Sequence, residues 1–154
     1  MITLKKTSST DIDFIGLVNE LNTYLKIVDG EDHAFYNQYN NIDAIKHVLV
    51  AYLDSLPLGC GTFKIFNQES VEIKRMYTKP EYRGKGVATK VLKGLEGWAK
   101  ELSYKSCVLE TGKRQIEAIK FYRKNGYQVI PNFGLYKNVS NSICFEKKLN
   151  YEKG

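Results

Sequence analysis

Residues 71–92 read VEIKRMYTKPEYRGKGVATKVL, and the punctuation of this stretch decides the fold. Val71 to Thr78 reads as a strand, ending where Pro80 forbids an ordinary central strand position. Arg83 to Gly86 is a glycine-containing turn. Beyond it Val87, Val91, Leu92, Leu95, Trp98, Ala99 and Leu102 recur at helical spacing and predict a long amphipathic helix. Ser106 to Leu109 then reads as a strand, and a strand-helix-strand unit implies a parallel pair in one sheet.

Upstream, Ile2 to Lys6 alternates as a strand. Thr10 with Asp13 resembles a capping box, opening a helix with Phe14, Leu17, Val18, Leu21 and Leu25 on one face. Lys26 to Asn41 is polar and aromatic without period, and reads as a loop with short helical turns. His47 to Asp54 is a strand, Leu56, Pro57 and Gly59 a turn, and Cys60 to Phe66 the returning strand, so the strand at Val71 continues an antiparallel meander. Downstream, Gln115 to Lys124 is a helix closed by Gly126, Gln128 to Ile130 is a strand, and Ser142 to Lys148 closes the sheet. This order predicts one α/β (α+β) domain over residues 1–154, its mixed and mostly antiparallel sheet flanked by helices.

A composition of 43% hydrophobic and 26% charged residues fits a globular chain and excludes disordered and fibrous classes. No apolar run approaches the roughly 20 residues of a spanning helix, and Met1 to Thr10 alternates as a strand rather than forming a signal peptide. The expectation is a cytoplasmic protein with no membrane partner. Cys60, Cys107 and Cys144 lack CxxC spacing and sit in apolar stretches, which fits buried thiols in a reducing compartment. A net charge of +6 favours anions of any kind, whether nucleic acid, an acidic surface or a phosphorylated cofactor. His33 and His47 have no partner at ligand spacing, so no metal is expected.

Position narrows the choice among anions. Arg83, Gly84, Lys85, Gly86, Val87 and Ala88 lie between strand and helix, where the N–H groups of a turn and of the first helical turn converge and attract phosphate. Glycine lets the backbone approach a phosphate closely, and Arg83 and Lys85 add charge. The plain alternative is a glycine turn that only starts a helix. Neither GxxxxGK[ST] nor GxGxxG occurs, which argues against a P-loop or a Rossmann site. Lys and Arg are scattered and no recognition motif is present, so nucleic acid is not the expected partner.

Arg83, Gly86 and Ala88 fill the pattern Arg or Gln, two residues, Gly, one residue, Gly or Ala, and so resemble the GNAT family of N-acetyltransferases. Val71 to Thr78, Tyr82 to Leu92, Leu109 to Gly112 and Ala118 to Tyr127 look like successive blocks of that family. The resemblance implies a sheet splayed between its fourth and fifth strands, between Met76 and Glu110. It also implies acetyl-CoA as cosubstrate: pantetheine against the backbone of Met76, Tyr77 and Thr78, and pyrophosphate on Arg83, Gly84, Lys85, Gly86, Val87, Ala88 and Thr89. From the other side come Glu110, Gln115 and Ala118, with Gln115 standing where the family often has Asn.

Transfer to an alkylammonium of pKa about 10.4 needs a base, and the departing thiolate benefits from an acid. The resemblance assigns these roles to Glu72 and Tyr122; period-two alternation places Glu72 on the face of Met76. A solvent-facing ion pair for Glu72 and aromatic packing for Tyr122 are the alternatives. Asp32, His33, Phe35 and Tyr36, within the polar segment after the first helix, are candidate acceptor residues, which with Asp29 and Glu31 would form an acidic and aromatic rim suited to a cationic amine. The expected acceptor is a primary amine of a small molecule or peptide. A non-catalytic acyl-CoA sensor is the competing reading, and the oligomeric state, a homodimer included, is left open.

Overall fold

The computed structural model of the chain describes residues 1–29 and 45–149. Two compact units emerge, Met1–Lys64 with Ile73–Trp98, and Ile65–Glu72 with Ala99–Gly154.

The first unit holds β1 (Ile2–Thr7), α1 (Ile12–Asp29), β2 (His47–Leu53), β3 (Leu56–Ile65), the later part of β4 (Ser70–Thr78) and most of α2 (Val87–Glu101). β1 pairs antiparallel with β2, and β2 with β3. α1 buries Phe14, Leu17, Val18 and Leu21 against Val48, Val50, Cys60 and Tyr77, as its apolar spacing predicts. Its cap is Asp11 rather than Thr10: Asp11 Oδ1 accepts the N–H of Asp13 at 2.9 Å and of Phe14 at 3.1 Å, while Thr7 and Lys5 hold Oδ2. α2 buries Val87, Val91, Leu92 and Leu95. A Cβ on Gly94 would lie 2.8 Å from Leu4 and Leu49 side chains, so glycine permits the close seating of this helix on β1 and β2.

α1 also runs on to Asp29, past the loop start expected at Lys26, and further features of this unit depart from the sequence reading. The hairpin turns at Asp54-Ser55, with Asp54 at φ 55, and Pro57 lies inside β3 opposite Tyr52. A register shift between Ala51 and Tyr52 accommodates the proline, which is how a strand tolerates a missing donor. In β4, Arg75 is buried at φ 61, a left-handed conformation costing a non-glycine residue roughly 1–2 kcal/mol. Strand alternation does not carry across such a residue, so the shared face inferred for Glu72 and Met76 does not follow.

His47 stacks on Phe63 at 4.6 Å and meets Trp98 edge-on at 4.9 Å. Desolvation, with the charge of Lys46, holds its pKa below the ordinary value. A depressed histidine pKa means that the unfolded chain takes up the proton first as pH falls below about 6.5, so stability is lost on acidification until the folded pKa is reached. The melting temperature is expected to fall slightly between pH 7 and 5, and His47→Gln to flatten that slope; parallel slopes would show that the stacked imidazole is not responsible.

The second unit holds the start of β4, β5 (Ser106–Gly112), α3 (Ile116–Lys124), β6 (Gln128–Ile130) and β7 (Ser142–Lys148). Ser70–Glu72 pairs in parallel with Ser106–Val108, as the strand-helix-strand reading requires, and the Ser70 and Ser106 hydroxyls meet at 2.6 Å. β5 runs three residues beyond the predicted Leu109 because β7 pairs along its whole length, from Ser106↔Lys148 to Gly112↔Ser142. β6 pairs antiparallel with β7. Hydrogen-bonded neighbours follow the order β1-β2-β3-β4-β5-β7-β6. The result is the mixed, mostly antiparallel α/β sheet expected from the sequence. The three cysteines are free and buried. Among the described residues no helix is long and apolar enough to cross a membrane.

Candidate active site

In the first unit, β4 delivers the chain to a 3-10 turn at Pro80–Tyr82 and then to the glycine turn. Gly84 and Gly86 have φ of 77° and 83°, a region closed to most side chains, and space around both is open: a Cβ at either would meet nothing within 4 Å. The first helical hydrogen bond runs from Lys90 N–H to the Gly86 carbonyl at 3.0 Å. Val87, Ala88 and Thr89 therefore occupy the first turn, where a helix offers its own N–H groups no acceptor. Arg83 and Lys85 are exposed beside them. Two positive-φ glycines, two cations and a helix N-terminus together make a cradle that fits a diphosphate.

Just before the turn, Tyr77 and Thr78 are buried and Met76 is half-buried. Tyr77 donates its O–H to Glu20 Oε1 at 3.2 Å, and burial, aided by that hydrogen bond, pushes its pKa up to about 12.

The second unit brings other predicted residues together. Glu72 is buried at 6% exposure, so its carboxylate does not face solvent. The register pairs Glu72 with Val108 and Glu110 with Cys144, and Val108 and Glu110 are two residues apart on β5. Glu72, Glu110 and Cys144 thus share one face of the sheet. Their proximity shows in the Cys144 thiol, whose pKa is pushed to about 11 by burial and further by both carboxylates, against the Phe133 amide.

Tyr122 on α3 is 8% exposed. Its ring packs against Phe121, Tyr127 and Phe145 at centroid distances of 5.2, 5.7 and 6.2 Å. Burial pushes the phenol pKa well above its ordinary range, so it keeps its proton at any working pH. A protonated phenol is a donor, as a departing thiolate requires. Gln115 precedes the first residue of α3 without a side-chain cap bond, and Ala118 lies in its first turn.

Asp32, His33, Phe35 and Tyr36 lie outside the described residues. Among the described residues no group of three or more His, Cys, Asp or Glu side chains is disposed to hold a metal. Sequence reasoning assigned Glu110 to the cofactor and missed that it shares a sheet face with Glu72; the alternation Val108, Glu110 along β5 was the available signal. It also missed Glu20 and Tyr24 of α1, which reach Tyr77 and Arg83 across long sequence separations that no local pattern reports.

Comparison with known proteins identifies relatives of the chain and of its fold. The model of the acetyltransferase (GNAT) family matches residues 15–127. An IAA acetyltransferase of Azospirillum brasilense is 28% identical over 150 residues, covering 96% of this chain and 98% of the relative. A spermidine N(1)-acetyltransferase of Thermoplasma acidophilum is 31% identical over 90 residues, 58% of this chain and 54% of the relative. The crystal structure of a Klebsiella pneumoniae protein provisionally named an acyl-CoA N-acyltransferase superposes with a TM-score of 0.82 at 28% identity, covering 97% of this chain and 99% of that one.

Proposed function

Since the chain belongs to the acetyltransferase (GNAT) family and is an acetyl-CoA-dependent N-acetyltransferase, we propose that it acts as one domain over residues 1–154 on a primary amine of a small molecule or peptide, with Glu72 as base and Tyr122 as acid. The observation carrying this reading is the Tyr122 phenol buried on α3 of a unit that also buries the Glu72 carboxylate.

Acetyl-CoA supplies the acetyl group as an activated thioester. The residues assigned to bind it are the backbone of Met76, Tyr77 and Thr78 for pantetheine and Arg83 to Thr89 for the pyrophosphate; Glu110, Gln115 and Ala118 are also assigned to the cofactor. Glu72 takes a proton from the ammonium, directly or through water, leaving the amine free to attack. A backbone N–H of Met76 or Tyr77 steadies the charge developing on the carbonyl oxygen, and Tyr122 gives its proton to the departing sulfur. Since Glu110 shares the face of Glu72, it is the second carboxylate able to serve as base. Asp32, His33, Phe35 and Tyr36 are assigned to the acceptor.

A polyamine is a primary amine whose positive charge suits an acidic residue such as Asp32, and the spermidine N(1)-acetyltransferase relative puts polyamines first in the acceptor trial. Protein and acetyl-CoA are incubated with polyamines, amino acids, aminoglycosides and peptides while free thiol is followed, for the wild type, Glu72→Gln and Glu110→Gln. Thiol release above the no-amine blank is expected with at least one class, and the variant that loses the acidic limb of the pH–rate profile identifies the base. Tight acetyl-CoA binding with no release across the panel would replace the enzyme reading with that of a cofactor sensor.

A further inference from the structure

Arg83 is not left to wave in solvent. Its Nε donates to the Thr78 carbonyl at 3.2 Å, and its guanidinium carbon lies 5.3 Å from the Tyr24 ring centroid and 5.9 Å from that of Tyr77. Both distances are within the reach of a cation–π contact, about 6 Å. With Nε occupied, the remaining donors of the fork are those on its two terminal nitrogens, which fit two oxygens of a phosphate.

The rings facing the guanidinium are themselves held from α1. The Tyr77 hydroxyl donates to Glu20 Oε1 at 3.2 Å, and Glu20 Oε2 lies 3.4 Å from Lys79 Nζ. Tyr24 packs against the core cluster built on Phe14, Leu17 and Leu21. Glu20 and Tyr24 are four residues apart, so one stripe of α1 reaches both Tyr77 and Arg83.

We propose that Glu20 and Tyr24 are positioning residues for the cofactor: α1 aims the Arg83 guanidinium at the pyrophosphate and so sets acetyl-CoA affinity without touching the cofactor. This rests on the reading of residues 83–89 as the pyrophosphate site. Aiming the cation in advance raises affinity because its side chain has less freedom to lose when the anion arrives. Tyr24 carries the larger share, since its ring is the nearer one.

The test is a double-mutant cycle read by calorimetric titration of CoA, with melting curves confirming that each variant is folded. Tyr24→Leu is expected to weaken CoA binding about twofold to fivefold, the effect of losing one exposed cation–π contact. Tyr24→Phe, which keeps the ring, should bind as the wild type does. In the Arg83→Ala background Tyr24→Leu should have no further effect, because the side chain it aims is gone. In turnover, Tyr24→Leu should raise the KM for acetyl-CoA and leave kcat unchanged. The same loss with and without Arg83 would overturn the proposal and leave Tyr24 a packing residue of α1. If Arg83→Ala itself leaves CoA affinity unchanged, its guanidinium takes no part in holding the pyrophosphate and this proposal falls, while the backbone cradle of residues 84–89 is untouched by that result.

Discussion

Tyr122→Phe is expected to lower kcat about a hundredfold at neutral pH while leaving CoA affinity within about twofold of the wild type. The substitution removes one oxygen and keeps the ring that packs against Phe121, Tyr127 and Phe145, so the fold of the second unit should not register it. What disappears is a proton donor. Burial holds the phenol protonated, so at pH 7 it has a proton to give when the carbon–sulfur bond breaks. The phenol stays protonated across the working range, so the donor that the variant lacks is missing to the same degree at every pH. The gap between wild type and variant should therefore stay nearly constant as pH rises. Single-turnover thiol release measured across pH, beside calorimetric CoA binding, checks both parts. An unchanged kcat would return Tyr122 to the role of a packed aromatic and leave the acid unassigned.

Local chemistry made most of the fold legible. The spacing of Phe14, Leu17, Val18 and Leu21 found α1, and the spacing of Val87, Val91, Leu92 and Leu95 found α2, because an amphipathic helix writes its buried stripe into the sequence. The glycine turn was legible for a similar reason: Gly84 and Gly86 both have positive φ. What local pattern misjudged depended on partners far away in the chain. Pro57 looks like a turn residue, yet the register shift in β2 absorbs it into β3. Leu109 looked like the end of a strand, and β7, more than thirty residues later, carries β5 on to Gly112. Arg75 shows nothing in its side chain to announce a left-handed backbone, and with it went the alternation argument for Glu72 and Met76. The candidate site divides the same way. The turn and Tyr122 were found by motif, whereas the company of Glu72 and Glu110 emerged only from strand register, and the grip of α1 on Arg83 only from tertiary packing.

Gly59→Ala tests whether the end of β4 is held where the cofactor reading needs it. A Cβ at Gly59 would stand 2.6 Å from the Tyr77 carbonyl oxygen, 3.1 Å from Val87 Cγ1 and 3.3 Å from Thr78 Cα. The nearest of these belongs to backbone, which cannot swing aside as the tip of a flexible side chain can. β3 and β4 must part at Tyr77 and Thr78, beside the hydrogen bond from Lys79 N–H to the Leu58 carbonyl at 2.9 Å. Overpacking of this kind costs about 1–3 kcal/mol, which for a chain of this size lowers the melting temperature by roughly 2–12 °C. The backbone displaced is the stretch assigned to pantetheine, and the Thr78 carbonyl that anchors Arg83 moves with it, so CoA affinity should fall together with stability. Gly97→Ala supplies the opposite sign. It lies exposed within α2, a Cβ there meets nothing within 4 Å, and relief of glycine's helical penalty should stabilise by about 0.5–1 kcal/mol without altering CoA binding. Melting curves and CoA titrations on the two variants decide the matter. A Gly59→Ala protein as stable as the wild type would mean that β3 and β4 have slack at this point, whereas a destabilised protein with undiminished CoA affinity would separate the seat of the cofactor from the backbone of Tyr77 and Thr78.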